Sequence, residues 1–151
     1  MNLPKYHLES GQRHNSYEFI SEDPKGFIVK RIQFTLIDEG KIYNLAFGDK
    51  NSISDEIDDL VISNNGDSEK VLATVIEAVL DFCKRHPNAW IYVEGSNAVR
   101  TRLYRMGITR YLEEMQADFI LFGEYNEEWE VFEKDRNYTA FLAKLKTSNF
   151  I

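Results

Sequence analysis

The sequence predicts a single α/β (α+β) domain over residues 16–151 behind a polar N-terminal arm of residues 1–15. Its core is a mixed β-sheet of about six or seven strands with two main helices in a β-β-β-α-β-α-β-β order, plus a C-terminal helix. Three observations carry this expectation. Residues 27–37 alternate, with Ile28, Ile32, Phe34 and Leu36 on one face, Arg31, Gln33 and Thr35 on the other, and Lys30 the one charge on the apolar side. Val71, Leu72, Val75, Ile76, Val79, Leu80 and Cys83 recur at three- and four-residue spacing, the mark of an amphipathic helix. Ala89–Val93 is a continuous apolar run of strand length, as a central strand requires.

The elements follow in order. Pro4 and Gly11 punctuate the polar arm, and residues 17–20 form a short strand. Asp23-Pro24-Lys25-Gly26 is a turn leading into the alternating strand 27–37. Asp38-Glu39-Gly40 closes a hairpin onto a strand at 42–47, and a third strand covers 60–63, beginning as early as Ile57. Asn64-Asn65-Gly66-Asp67-Ser68 then caps the long helix, whose last turn holds Lys84, Arg85 and His86 and which Pro87 stops. After strand 89–93, Ser96 or Asn97 caps a shorter helix whose core face is Val99, Leu103 and Met106 and which Gly107 ends. Residues 111–116 fit either helix or strand. Residues 118–124 and 128–132 flank Tyr125-Asn126-Glu127 as a second hairpin, and 138–146 reads as a terminal helix with Phe141, Leu142 and Leu145 inward.

Composition bounds the function. A chain of 151 residues supports one real core, and ten Phe and eight Tyr argue against disorder over most of it. A formal net charge of −7 opposes non-specific nucleic-acid binding, so any phosphate contact needs a local basic patch. The single cysteine, Cys83, allows no intrachain disulfide and no cysteine-based zinc site, and its place on the apolar helix face makes it a core thiol. No apolar run reaches membrane-spanning length and the N-terminus lacks a secretory h-region, so a cytoplasmic bacterial-type protein is expected.

That basic patch lies in Trp90–Arg110. Arg100, Arg102, Arg105 and Arg110 are half of the chain's arginines. A strand that runs through Glu94-Gly95-Ser96-Asn97 into a basic helix is an anion-binding corner: amide groups of the first turn and a guanidinium clamp can hold a phosphate. Arg100 and Tyr104 share one helix face, and Arg102 and Arg105 another. If the strands before residues 64 and 94 are parallel neighbours, their following loops lie side by side. The candidate ligand-binding set is therefore Asn64, Asn65, Asp67, Glu94, Ser96, Asn97, Arg100, Arg102 and Tyr104. The competing reading makes the loops plain turns and caps, and the helix a solvated face whose arginines pair with surface carboxylates.

Other constellations point less sharply. His7, His14 and His86 fit no metal or nucleophile motif. Asp55-Glu56-Ile57-Asp58-Asp59 lacks a calcium-loop spacing and reads as a charged strand entry; no metal ligands are assigned. The aromatic group Phe119, Phe122, Tyr125, Trp129, Phe132, Tyr138 and Phe141 suits a core and cross-strand pairs, with a homodimer interface as a further use.

The element order is similar to that of the GNAT acyltransferases, and Asn97–Gly107 (NAVRTRLYRMG) resembles their Asn-x-x-x-x-x-x-Tyr-x-x-Gly segment. That resemblance implies acyl-CoA as cofactor, with Asn97 and Tyr104 near the thioester. The family's basic glycine-rich loop would fall at residues 64–70, where this chain has one glycine and places Asp67. Residues 69–100 also resemble the ribonuclease H-like fold, which would imply a nuclease-like part of a bacterial toxin or defence pair. Its metal-binding acids are replaced here by Lys30, Arg31 and Gln33 in the first strand and by Gly95 after the fourth. Over most of its length the chain resembles an uncharacterised family of short acidic bacterial proteins, through Tyr43–Asp49 (YNLAFGD), Asn64–Asp67 (NNGD) and Arg100–Tyr104 (RTRLY). The leading expectation is a binding or interaction protein taking a phosphate-bearing small molecule or a protein partner at the Glu94–Arg105 corner. An acyl-CoA-dependent acyltransferase and a nuclease-like component are the alternatives.

Overall fold

The computed structural model describes residues 4–11, 15–23, 26–50, 57–58 and 68–146. The strands are β1 (Glu9–Ser10), β2 (Ser16–Asp23), β3 (Gly26–Asp38), β4 (Ile42–Lys50), β5 (Ile57–Asp58), β6 (Trp90–Val93), β7 (Phe119–Tyr125), β8 (Glu128–Val131) and β9 (Ala140–Leu145). The helices are α1 (Ser68–Arg85), α2 (Ala98–Arg110) and α3 (Leu112–Asp118). One mixed sheet runs in the order β1-β2-β3-β4-β6-β9-β7-β8, with β5 pairing the free end of β4. β4 and β6 are parallel, joined through the crossover that contains α1; the other pairings are antiparallel.

The register sorts the side chains onto two unlike faces. Tyr17, Ile32, Phe47 and Phe34, Leu45 lie on one face with Tyr43, Ile91, Ala143 and Leu121. All three helices pack there. Phe82 of α1 stacks on Phe34 at 4.1 Å between ring centroids and meets Tyr43 edge-on. Tyr104 and Ile108 of α2 and Met115 of α3 cover Leu45, Ile91 and Leu121. No helix among the described residues contacts the opposite face, which carries Ile20, Val29, Trp90, Tyr92, Leu142, Phe122, Trp129 and Val131.

α1 matches its sequence pattern, with Glu69 in its first turn and Lys84 and Arg85 in its last, as the helix dipole favours. Cys83 is fully buried on it. The polar arm is docked where it is described: Tyr6 is buried, its N–H donates to Thr74 Oγ1 at 2.8 Å, and its hydroxyl bridges the Glu22 backbone.

Three expectations change. The terminal helix expected at 138–146 is instead β9, the strand between β6 and β7. The local pattern also fits period two, with Phe141, Ala143 and Leu145 on the helix-covered face. Hydrogen bonding to neighbours on both edges outweighs helical preference. With β9 and the two-residue β1 added, the sheet has nine strands rather than six or seven. The strand expected at 60–63 lies outside the described residues, although β5 starts at Ile57. Finally, α2 does not end at Gly107 and does not bury its apolar stripe. It runs to Arg110 with Arg100 and Gly107 buried, while Val99, Leu103 and Met106 are 63%, 40% and 53% exposed. Gly107 is the contact point for α1: a Cβ there would sit 3.0 Å from Leu72 Cδ1. That close approach turns the Arg100–Tyr104–Gly107 side inward and sets the rotation of the helix.

Candidate functional site

β4 and β6 run side by side for only three residue pairs, Ile42↔Trp90 to Asn44↔Tyr92. Further along, β4 pairs on this edge with β5 at Asp49 and Lys50. Leu45–Gly48, the stretch of β4 between these two sets of pairs, is called the notch below. One backbone group of this stretch, the Phe47 carbonyl, takes a side-chain partner.

α2 delivers one such partner. The loop Glu94–Asn97 folds closely over the helix start; at Gly95 a Cβ would overlap the Thr101 backbone nitrogen, so only glycine fits. Asn97 caps the helix, its Oδ1 accepting the Arg100 N–H at 2.8 Å. Arg100 then points inward, 4% exposed, and its Nη1 donates to the Phe47 carbonyl at 2.8 Å. Its guanidinium carbon lies 5.9 Å from the Phe47 ring centroid. The Lys30 ammonium, on a side chain also buried, lies 6.0 Å from the same ring and 2.6 Å from Asp49 Oδ1. Two buried cations thus flank one phenylalanine at the notch. Burying charge costs several kcal/mol unless it is paired, and Lys30 meets that demand through Asp49.

Beside the notch lies an apolar cavity of about 80 Å³ between the sheet and the helices. Leu45 and Ile91 form part of its floor, Leu72, Val75 and Val79 of α1 one wall, and Tyr104 and Gly107 of α2 another. Spacing makes cavity and notch neighbours. Leu45 and Phe47 are two apart on one face of β4, and Arg100 and Tyr104 are four apart on one face of α2.

The structure brings only part of the expected set to this place. Arg100 sits in the notch and Tyr104 lines the cavity. Asn97 is at the notch as a helix cap. Glu94 is exposed at the end of β6 and accepts a hydrogen bond from the Tyr92 hydroxyl at 2.8 Å. Burial, and then that bond to the carboxylate, push the Tyr92 hydroxyl above its ordinary pKa. Ser96 and Arg102 are exposed on the outer side of the corner. Asn64, Asn65 and Asp67 lie outside the described residues. The first turn of α1 meets the far end of α2, where Glu69 pairs with Arg110 and its carbonyl faces the Tyr111 hydroxyl at 3.5 Å.

Sequence reading did not bring Lys30, Asp49 and Phe47 into the candidate set. The signal was present in the single charge on the apolar face of strand 27–37, but its partner lies across the β3–β4 pairing, Lys30↔Asp49. Among the described residues no group of three His, Cys, Asp or Glu side chains is placed to hold a metal ion, and no helix is long and apolar enough to cross a membrane.

No curated protein and no solved structure matches the chain. A family profile does, and it covers residues 2–146. With nearly the whole length matched, the chain belongs to DUF6934, a family of unknown function.

Proposed function

We propose that this chain binds a phosphate-bearing ligand that ends in a short apolar group, of the acyl-CoA class, at the notch between β4 and β6. One observation carries the reading: buried Arg100 is held to Phe47, two residues along β4 from Leu45, which with Tyr104 lines an apolar cavity of about 80 Å³. The anionic part of the ligand would lie at the start of α2, with Arg100 as its cation. The apolar end would enter the cavity. Its volume is well under the roughly 150 Å³ that admits a benzene, so a group of a few carbon atoms fits and a long chain does not.

The element order and the Asn97–Gly107 segment support a second, enzymatic reading within the same site, acyl transfer. There the Tyr104 hydroxyl would protonate the departing thiolate while an acceptor attacks the thioester carbonyl.

Thermal shift and calorimetry with acetyl-CoA, CoA, ADP and inorganic phosphate test binding. Acetyl-CoA at about 100 times its Kd should add roughly 2.7 kcal/mol of stability. Arg100→Met should remove the response to all phosphate ligands. Val75→Phe, which fills the cavity, should remove only the advantage of acetyl-CoA over CoA. No stabilisation by any of the four would end the proposal. Thiol release from acetyl-CoA in the presence of amines, lost in Tyr104→Phe, distinguishes transfer from binding alone.

A further inference from the structure

The helix-free face of the sheet is not built like a solvated one. Phe27, Ile20 and Val131 are 76%, 53% and 62% exposed, and Val29, Ile120 and Trp129 are exposed as well. Between them run aromatic contacts that no helix covers: Trp90 lies 5.8 Å from Phe122 and Tyr92 lies 6.2 Å from Trp129. These side chains form two groups, Ile20, Phe27 and Val29 at one end of the sheet and the side chains of β6, β7 and β8 at the other, with Arg31, Gln33, Thr35 and Asn44 between them. Soluble monomers rarely leave large apolar patches open.

The basic side chains on this face are already committed within it. Arg31 holds Glu18 at 2.6 Å, Lys50 reaches the same carboxylate at 3.5 Å, and the Lys144 ammonium rests 5.2 Å from the Trp90 ring centroid. A lipid surface or a nucleic acid would call for uncommitted cations, and an acidic peptide likewise. A twisted sheet face whose cations are committed is best covered by another of the same twist. The size also fits. Eight strands at about 4.8 Å and some six residues at about 3.3 Å span roughly 38 by 20 Å, about 760 Å² per partner, close to the standard interface of about 800 Å².

We infer that a second copy of this chain covers the face, giving a two-fold dimer in which two sheets pack face to face and all helices lie outside. This inference is independent of the ligand reading, because the notch and cavity open on the other side of the sheet.

Sedimentation velocity of the full chain between about 1 and 100 μM tests it. The expected result is a dimer that Val131→Lys and Ile20→Lys each weaken about 100-fold, since each places an unmatched charge in the interface. Both side chains are more than half exposed in the monomer, so its far-UV circular dichroism should not change. A wild-type chain that stays monomeric at about 100 μM overturns the inference. So does a dimer that neither substitution weakens, which would place the contact on another surface. A monomer that is captured by vesicles of anionic lipid would assign the face to a membrane instead and overturn it too.

Discussion

Lys30 and Asp49 face each other across the β3–β4 pairing, with the ammonium 2.6 Å from the carboxylate and both side chains largely withdrawn from water. Removing one member of such a pair strands the other charge, at a cost of about 3–5 kcal/mol. Lys30→Met and Asp49→Leu should each lower the urea midpoint accordingly. The double variant should cost less than either single one, because no uncompensated charge remains. A double variant whose loss equals the sum of the two would show that the residues act independently.

Gly107 and Leu72 set the distance between α2 and α1. An added Cβ would stand 3.0 and 3.1 Å from the two Leu72 methyl carbons, and Leu72 borders the cavity into which it can turn. Alanine also gains about 1 kcal/mol of helix propensity over glycine. Gly107→Ala should therefore raise stability by up to about 1 kcal/mol, measured by thermal unfolding. Gly107→Leu should lower it by about 1–3 kcal/mol, because overfilling forces the helices apart.

Gly123 has no such freedom. A Cβ there would overlap the ring of Tyr138, whose hydroxyl donates to Glu130 Oε2 at 3.0 Å and accepts the Glu133 N–H at 2.9 Å. With the ring pinned at its far end, Gly123→Ala should cost about 1–3 kcal/mol or more. In a Tyr138→Leu background the same substitution should cost clearly less. An unchanged penalty there would locate the strain in the strand itself.

Cys83 makes stability sensitive to alkali. Burial pushes its thiol from 9.0 up to about 12. Between those values the folded chain keeps a proton that the unfolded chain has lost, so stability is whole below about pH 9 and declines as pH rises toward 12, by at most about 1.4 kcal/mol per pH unit. Burial and the Asp81 carboxylate also raise the Tyr17 hydroxyl, but from 10.0, so the first part of the decline belongs to Cys83. Denaturant midpoints measured from pH 8 to 10 should fall more steeply in the parent chain than in Cys83→Ala, where the raised hydroxyls of Tyr17, Tyr92 and Tyr138 still contribute toward pH 10.

Residues with a strong repeat of their own were legible without coordinates. The three- and four-residue spacing of α1, the alternation of β3 and the apolar run of β6 each state which face is buried, because one neighbouring layer supplies the whole demand for burial. A cap at Ser96 or Asn97 was legible for the same local reason, and the structure places it at Asn97. α2 misled because its most apolar stripe, Val99–Leu103–Met106, is the exposed one. Its inner face carries an arginine, a tyrosine and a glycine, chosen by a backbone edge, a cavity and a neighbouring helix that are distant in sequence.

The sequence by itself determined the class of fold, the long helix and the concentration of positive charge after β6, all of which follow from local periodicity and composition. Tertiary structure alone decided that residues 140–145 become a strand, since ladder hydrogen bonds on both edges are offered only inside the sheet. It also decided that Arg100 turns inward to Phe47 and that Lys30 finds Asp49, because a buried charge takes its meaning from a partner that chain order does not reveal.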